Sequence, residues 1–414
     1  MTDTKQTSAR AVIIGGGLAG AKTAEGLRDN GFAGSIIIIT DESVAPYERP
    51  PLSKEFIAGS KSLPDFTVHD DAWYRDKDVD VWFDTRVTAF DPVVKTVTID
   101  DGSHIKYTTL ILATGSASVH PPIDGADADG VHYLRSIDDA TALLSVLGEG
   151  KRLAIIGGGW IGLEIAAGAR GRGTEVTVVE SAAQPLQAAL GAEIGAAFAD
   201  LHRQHGVDLR LESTVAAITV ADGRATGLTL ADGTGIDADA VLIAVGARPE
   251  IALAEAAGLT IADRGVATDA GLRTSAPDVY AVGDIAAAEH PALGTRIRTE
   301  HWANALNQPA VAAQNIVGGN AEYTRMPYFF TDQYDLGMEY RGHSDGYTSV
   351  VTRGDVAGRE FLAFWVNDDG VVLAGMNVNI WDAGDDIAAL VEARRPVDTA
   401  TLADPAVPLG TLLS

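Results

Sequence analysis

The chain has 414 residues, of which 46% are hydrophobic, and it carries a formal net charge of −26. This length predicts roughly two or three domains with substantial cores. The negative charge argues against binding to nucleic acid or to anionic membranes, both of which would be repelled. No apolar run approaches the roughly 20 residues that span a bilayer, and the polar start MTDTKQTSAR lacks the apolar stretch of a signal peptide. We therefore expect a soluble, cytoplasmic protein.

The first predicted strand, AVII at residues 11–14, is followed by the phrase GGGLAG at 15–20 and then by a helix-like stretch. Such a turn brings backbone N–H groups and the positive end of a helix against a pyrophosphate. The next strand, IIIIT, ends at Asp41, whose carboxylate could accept hydrogen bonds from a ribose. The fingerprint glycines of this first copy are Gly15, Gly17 and Gly20.

The same phrase recurs as GGGWIG at residues 157–162, after the apolar run LAII and before a second helix-like stretch. Here the following strand, VTVV, ends at Glu180. A single glycine phrase is a weak signal, but two copies with strand, helix and strand-end acid predict two dinucleotide sites. The fingerprint glycines of this second copy are Gly157, Gly159 and Gly162.

Two apolar strands that end in glycine turns indicate where the chain passes between domains. They are TLILATG, which contains Thr114 and Gly115, and AVLIAVGARPE, which contains Gly246. A later strand, DVYAVGDIA, ends at Asp284 and is expected to return the chain to the first domain. From about residue 325, aromatic residues multiply and alternating runs predict antiparallel hairpins, with Asp-Asp-Gly at 368–370 as a turn.

The predicted fold class is therefore α/β, with two Rossmann-like dinucleotide-binding domains and a C-terminal α+β domain. We assign residues 1–117 and 247–324 to the first domain, residues 118–246 to the second and residues 325–414 to the third.

The sequence contains no cysteine. The chain itself therefore cannot form a redox disulfide or hold an iron–sulfur cluster or a thiolate-bound zinc. His202 and His205 could share one helix face, but no acid nearby completes a metal site. A solvated helix face is the preferred interpretation, and no metal site is predicted.

These phrases together resemble the two-dinucleotide flavoprotein reductases. Specifically, the chain is similar to the FAD-dependent NADH:ferredoxin reductases, of the putidaredoxin reductase and rhodocoxin reductase type, that serve bacterial cytochromes P450 and Rieske dioxygenases. Apoptosis-inducing factor is a more distant relative. The phrases run in the family's order and are GGGLAG, PYERPPLSK, LATG, GGGWIGLE, VYAVGDIA, EHWANALNQ and FFTDQYD.

The resemblance implies that FAD binds at the first glycine phrase, with Asp41 on its adenosine ribose and Thr114 and Gly115 beside it. It also implies that Asp284 binds the ribityl chain, a role that suits a carboxylate because hydroxyl groups donate to it. An alternative role for Asp284 is the N-cap of a helix DIAAAEH. For Arg49 two roles stay open, a cofactor contact or a surface ion pair.

In PYERPPLSK, two prolines precede a helix predicted to begin near Ser53. The resemblance implies that Lys54 lies near flavin N5 and pairs with Glu164, since a cation there favours the reduced flavin. An isolated Ser-Lys-Glu would instead predict an exposed lysine. The family places an aromatic ring, here Trp160, over the flavin where nicotinamide docks; a packed interdomain tryptophan is the alternative.

The phrase EHWANALNQ predicts a helix that begins beside Glu300, His301 and Trp302. By resemblance, its positive N-terminal end faces flavin N1 and O2, where negative charge develops on reduction. An ordinary capped amphipathic helix is the alternative. At position 330 this chain has phenylalanine, Phe330, whereas some P450-system reductases have tryptophan there. The position lies near the supposed exit for electrons.

The sequence thus predicts an enzyme that takes hydride from NADH onto FAD and passes single electrons to a [2Fe–2S] ferredoxin, which feeds a P450 or Rieske oxygenase. Lys54, Glu164 and Trp160 are expected to act at the flavin, and Glu180 to bind the ribose of NADH. Two alternatives stay open, an NAD-responsive binding protein like apoptosis-inducing factor and an NADH diaphorase or monodehydroascorbate-type reductase with a small-molecule acceptor.

Docking of a ferredoxin presents a difficulty, because ferredoxins are usually acidic and this chain is acidic too. A local basic patch is therefore expected near the end where the electrons leave. The oligomeric state is not predicted. The candidate arginines of the patch are Arg296, Arg298, Arg341, Arg353 and Arg359.

Overall fold

The computed structural model describes residues 9–413, so the first eight residues of the polar start lie outside the described residues. The chain forms two compact units, each built from segments that are not adjacent in sequence. Within residues 9–413, no helix combines the length and the apolar character that crossing a membrane requires. The first unit contains residues 9–49, 63–117 and 248–327, and the second contains residues 50–62, 118–247 and 328–413.

A five-stranded parallel sheet lies at the centre of the first unit. Its side chains alternate between two buried clusters, because successive residues of a strand face opposite sides of the sheet. Ile13 packs on one face of the sheet, in the cluster that includes residues of the helices Leu18–Asp29 and Trp302–Ile316. Ile14 packs in the cluster on the other face. The strands, in order across the sheet, are Val279–Ala281, Thr109–Leu112, Arg10–Ile14, Ser35–Ile39 and Val79–Trp82.

The helix Leu18–Asp29 follows the first strand directly and lies against the helix Trp302–Ile316. The two helices approach closely at Gly26, where an added Cβ would lie 3.0 Å from the Cβ of Ala313. Shorter helices of this unit are Leu63–Phe66, Asp71–Asp76, Ala252–Ala256 and Gly283–Ile285. Two further sheets complete this unit. The antiparallel sheet contains the strands Val87–Asp91, Thr96–Ile99 and His104–Lys106. The mixed sheet contains the strands Ile261–Ala262, Gly265–Thr268, Ala286–His290 and Thr295–Ile297.

The second unit repeats the parallel five-stranded arrangement. Its fingerprint helix, Trp160–Gly171, follows the central strand just as Leu18–Asp29 does in the first unit. The strands, in order, are Asp208–Arg210, Glu175–Val179, Arg152–Ile156, Ala240–Ile243 and Val131–His132. The remaining elements are the helices Glu55–Ala58, Ile137–Ser145, Gln187–Leu190 and Ala192–Gln204, the 3-10 turn Pro50–Ser53, and an antiparallel sheet of Val215–Ala221, Arg224–Leu230 and Gly235–Asp237.

The C-terminal part of this unit contains a five-stranded antiparallel sheet, as the alternating runs predicted. One face of the sheet packs on the fingerprint half of the same unit, through Met376 and Trp365 against Leu163 and Phe198. This packing sets the strand Tyr328–Gln333 beside the helix Trp160–Gly171. The strands, in order, are Tyr328–Gln333, Leu336–Gly342, Val372–Val378, Glu360–Val366 and Ser349–Asp355, and the helical segments are Trp381–Ala383, Gly384–Ala393, Thr399–Ala403 and Leu409–Leu413.

The predicted fold class is confirmed by the two parallel sheets and the C-terminal antiparallel sheet. The short strands Ser116–Ser118 and Ala247–Pro249 lie at the two predicted chain crossings. The compact units group residues 50–62 with the second fingerprint, whereas the sequence analysis assigned them to the first domain. The division into three functional domains remains a prediction.

Candidate cofactor sites

The first glycine turn has a geometry that only glycine permits. Gly15 has a φ of +116°, and an added Cβ would lie 2.2 Å from the carbonyl oxygen of Ala113. Gly17 caps the helix Leu18–Asp29 without a side-chain hydrogen bond, and an added Cβ there meets nothing within 4 Å. No side chain at the N-cap therefore binds the first N–H groups of the helix, as an anion site at a helix N-terminus requires.

The second glycine turn repeats this geometry. Gly157 has a φ of +107°, and its added Cβ would lie 2.5 Å from the carbonyl oxygen of Ala244. Gly159 caps the helix Trp160–Gly171, and its Cβ position is also open to 4 Å. Both turns thus fit a pyrophosphate. The third glycines, Gly20 and Gly162, are each required because an added Cβ would lie 2.1 Å from the carbonyl oxygen of the first glycine of the turn.

A cavity of about 420 Å³ opens at the end of the parallel sheet in the first unit. Asp41 lies in its wall and forms an ion pair with Arg86, with 2.9 Å between Oδ2 and Nη2. Thr114 also lines the cavity; its hydroxyl donates to the carbonyl of Glu250 at 2.6 Å. Gly115 accepts a hydrogen bond from the backbone N–H of Glu250 at 2.9 Å. Nothing in the sequence around Arg86 or Glu250 indicated that they line this cavity.

The segment PYER is held by a set of partly buried ionic contacts. Arg49 pairs with Glu42 at 2.7 Å, and the hydroxyl of Tyr47 donates to the same carboxylate at 2.6 Å. Burial acts to lower the pKa of Arg49, but Tyr47, Glu42 and Asp284 outweigh it, and the pKa is raised. Arg49 thus forms an ion pair with Glu42, and a cofactor contact for it remains a prediction.

The helix Trp302–Ile316 begins where the sequence predicted, with His301 as its N-cap residue. The indole N–H of Trp302 donates to Glu48 at 2.9 Å, which ties the segment PYER to the helix N-terminus. Glu300 pairs with Arg298 at 2.7 Å.

The alternative role for Asp284 as the N-cap of a helix is wrong. Asp284 lies in the 3-10 turn Gly283–Ile285, and the residues after it form the strand Ala286–His290. Small alanines suit either conformation, and pairing with the strands Gly265–Thr268 and Thr295–Ile297 decides the outcome. The turn itself is fixed by Gln308, which accepts from the N–H of Gly283 at 2.7 Å.

In the second unit, Lys54 is largely buried and paired, so the exposed-lysine alternative is wrong. Its Nζ lies 2.8 Å from Oε2 of Glu164, and the two side chains are 10% and 4% exposed. Ser53 donates to the same oxygen at 2.5 Å, and Thr331 donates to Oε1 at 2.6 Å. The ammonium also lies 5.4 Å from the ring centroid of Phe330. The sequence did not identify Ser53 and Thr331 as partners of Glu164, although both lie inside phrases that carry the family resemblance.

Trp160 is the first residue of its helix and packs between two aromatic rings of the same unit. Its ring centroid lies 4.6 Å from that of Phe329 and 6.0 Å from that of Phe198. These contacts limit the rotation of the indole. A role over the flavin remains a prediction.

Glu180 lies directly after the strand Glu175–Val179 and reaches back to the glycine turn. Its Oε2 accepts the N–H of Gly158 at 2.7 Å, and its Oε1 accepts the N–H of Ala182 at 2.8 Å. Gly246 lies after the strand Ala240–Ile243, which is on the other side of the strand Arg152–Ile156, and its carbonyl accepts the N–H of Val119 at 2.9 Å. The acid is thus anchored beside the second turn, at the strand end where a ribose binds in this type of fold.

The interpretation of His202 as part of a solvated face is wrong. Its side chain is 0% exposed, and its Nε2 lies 2.8 Å from Oε1 of Gln333. Burial lowers the pKa of His202 to about 4, against the effect of Gln333, which raises it; His205 lowers it further. His205 stacks on the ring of Tyr334 at 3.7 Å.

This buried histidine has a consequence for acid stability. The pKa of His202 is about 4 in the folded protein against 6.5 for a free histidine, so the unfolded chain takes up the proton first as the pH falls. Stability is therefore lost below about pH 6.5, until the folded protein also binds the proton near pH 4. Between pH 7.5 and pH 5 we expect the wild type to lose about 2 kcal/mol more than His202→Gln in urea unfolding. Equal losses in both proteins would contradict the buried neutral imidazole.

The five arginines proposed for a basic docking patch all form ion pairs or hydrogen bonds within their own units, and their part in docking remains a prediction. Arg298 is the clearest case: its side chain is 7% exposed and pairs with Glu300. Arg353 donates to three backbone carbonyls, the shortest at 2.6 Å. The other three form ion pairs: Arg296 with Glu289, Arg341 with Glu339, and Arg359 with Asp335.

Comparison with known proteins gives matches along nearly the whole chain. A family model described as pyridine nucleotide-disulphide oxidoreductase matches residues 9–309, and one described as reductase C-terminal matches residues 328–413. The chain is 38% identical to the ferredoxin–NAD(+) reductase component of the anthranilate 1,2-dioxygenase system of Burkholderia cepacia, over 97% of this chain and 98% of the relative.

Two solved structures share the fold, each with a TM-score of 0.93. The first is the covalent putidaredoxin reductase–putidaredoxin complex, whose matching chain is 33% identical, with 98% of each chain covered. The second is the ferredoxin reductase for the CYP199A2 system from Rhodopseudomonas palustris, which is 31% identical, with 98% of this chain and 100% of the other covered.

Proposed function

The chain belongs to the pyridine nucleotide-disulphide oxidoreductase family, among its ferredoxin–NAD(+) reductases, and we propose that it carries electrons from NADH through FAD to a [2Fe–2S] ferredoxin. When bound, FAD supplies the chemistry, accepting a hydride and giving up its electrons one at a time. The observation that carries the proposal is the pair of glycine turns with one shared geometry. One turn serves each dinucleotide.

At the first turn, the open helix end at Gly17 binds the FAD pyrophosphate. Asp41, in the wall of the cavity, accepts hydrogen bonds from the adenosine ribose, and Arg86 holds its carboxylate in place. Asp284 accepts hydrogen bonds from the ribityl hydroxyls. The N-terminus of the helix Trp302–Ile316 offers partial positive charge to the flavin ring.

At the second turn, Gly159 presents the helix end to the pyrophosphate of NADH. Glu180 accepts hydrogen bonds from the adenosine ribose while it braces the turn through Gly158. The family resemblance supports a position for Lys54 near flavin N5, where its ammonium favours added negative charge. Glu164 keeps that ammonium from swinging toward water.

The absence of cysteine limits which group can accept the electrons of the flavin. A member of a family described by disulphide oxidoreduction has no thiol of its own to reduce here, since the sequence contains no cysteine. The acceptor must therefore be external. A one-electron protein carrier suits a flavin that releases its electrons singly, and a [2Fe–2S] ferredoxin has that chemistry.

The proposed function is tested with the purified protein, NADH and two acceptors. We expect a yellow protein with non-covalently bound FAD, which NADH reduces quickly and which cycles with both ferricyanide and a [2Fe–2S] ferredoxin. A colourless protein that takes up no FAD would contradict the proposal. A long-lived flavin–NAD charge-transfer complex with slow turnover would indicate the NAD-responsive binding protein, and turnover with small acceptors alone would indicate the diaphorase.

A further inference from the structure

Four buried polar side chains of the second unit form a continuous hydrogen-bonded line that ends on Glu164. Thr331 lies 2.6 Å from Glu164, Gln333 lies 3.2 Å from Thr331, and His202 lies 2.8 Å from Gln333. All four side chains are at most 4% exposed. The contact between Lys54 and Glu164 uses the other carboxylate oxygen.

The carboxylate determines the orientation of every group in the line. A carboxylate only accepts, so the hydroxyl of Thr331 donates to Glu164, and its lone pair is left for the amide N–H of Gln333. The oxygen of Gln333 then faces His202, which must supply an N–H from Nε2. Every donor therefore points toward Glu164.

Three separate elements contribute to the line. Glu164 belongs to the helix Trp160–Gly171 and His202 to the helix Ala192–Gln204. Thr331 and Gln333 are alternate residues of the strand Tyr328–Gln333, so both side chains face the two helices. Removing such groups from water is costly unless each one is hydrogen-bonded, and a row of apolar side chains would fill the same space without that cost.

We propose that Thr331, Gln333 and His202 are positioning residues for the reduction of the flavin by NADH. They hold the Glu164 carboxylate in the orientation in which its other oxygen binds Lys54, and through it they hold the ammonium in place. This inference rests on the proposed position of Lys54 beside the flavin. None of the three residues touches the cofactor in this scheme; they act only through Glu164.

The kinetic test replaces the hydroxyl nearest to Glu164 in the FAD-loaded protein. Thr331→Val keeps the shape of the side chain and removes the donor, so we expect the limiting rate of flavin reduction at saturating NADH to fall roughly tenfold. The apparent Kd for NADH should stay within about twofold, because Glu180 and the second glycine turn are untouched. Thr331→Ser restores the donor and should restore the rate.

A matched control is available in the same sheet. Thr352 lies on another strand, opposite Ala363, and Thr352→Val makes the same chemical change away from Glu164. It should leave the reduction rate unchanged. An unchanged rate in Thr331→Val, or an equal loss in Thr352→Val, would overturn the inference. If the wild type itself is not reduced by NADH, the proposed function fails instead.

A second measurement does not depend on turnover. The protein contains nine histidines, and labelling them with ¹⁵N makes the ring tautomers visible by NMR. In the FAD-loaded protein we expect His202, identified by the signal lost in His202→Gln, as the neutral Nε2–H tautomer with a slowly exchanging N–H. Gln333→Leu should make this N–H exchange faster. A Nδ1–H tautomer would reverse the direction of the line and overturn the inference.

Discussion

Replacing Lys54 with methionine is expected to lower the free energy of unfolding by about 3–5 kcal/mol, the usual cost of removing one partner of a buried ion pair. The cost arises because Glu164 is 4% exposed and would lose its only charged partner among the described contacts. Ser53 and Thr331 would still donate to the carboxylate, which places the loss toward the lower end. Urea unfolding at pH 7.5 measures it.

The same segment offers a matched control. Lys61 pairs with Glu55 at 2.7 Å, but these side chains are 41% and 38% exposed. Lys61→Met should therefore cost no more than about 1 kcal/mol. In the double variant Lys54→Met/Glu164→Gln, most of the lost stability should return, since no buried charge is left unpaired. A cost for Lys54→Met no larger than that for Lys61→Met would show that the buried pair is not formed.

The second large effect concerns the choice between NADH and NADPH. We expect kcat/KM for NADH to exceed that for NADPH by at least roughly 30-fold, which corresponds to about 2 kcal/mol. NADPH carries a 2′-phosphate that would face the carboxylate of Glu180. At about 4 Å and an effective dielectric near 20, like unit charges repel by roughly 4 kcal/mol, which water and side-chain motion reduce. The stretch 181–202 contains no lysine or arginine that could compensate.

Glu180→Gln tests the charge most directly, although the single amide oxygen of glutamine can accept from only one of the two N–H groups, those of Gly158 and Ala182. It should narrow the preference for NADH over NADPH several-fold, and the N–H group left without an acceptor should cost about 1 kcal/mol of stability. Glu193→Gln removes an exposed acid from the first turn of the helix Ala192–Gln204 and serves as the control, with no change expected in the preference for NADH. Equal rates with both cofactors in the wild type would show that Glu180 does not face the ribose.

Local patterns made most of the fold predictable. Each glycine phrase specifies its turn and helix within about 20 residues, and the alternating runs specify the C-terminal hairpins. The partners of Glu164 could not be predicted in the same way. Ser53 lies 111 residues before it and Thr331 lies 167 residues after it, so no periodicity connects them.

The errors at His202 and Asp284 have a related cause. A helix pattern shows which residues share a face but not which element covers that face, and the strand Tyr328–Gln333 covers His202. The alanines after Asp284 suit a helix in isolation, but pairing with two neighbouring strands outweighs their weak local preference.

The long sequence separations around Glu164 also determine when its surroundings are completed during synthesis. Lys54 leaves the ribosome early, but its partner follows 110 residues later, and Thr331 follows only when about four fifths of the chain has been made. Contacts between such distant residues close large loops and form slowly. A nascent chain that stops before residue 331 therefore has the glycine turns of both dinucleotide sites but lacks the hydroxyl that holds Glu164 in place. The surroundings of Glu164 are therefore complete only after the strand Tyr328–Gln333 has been made.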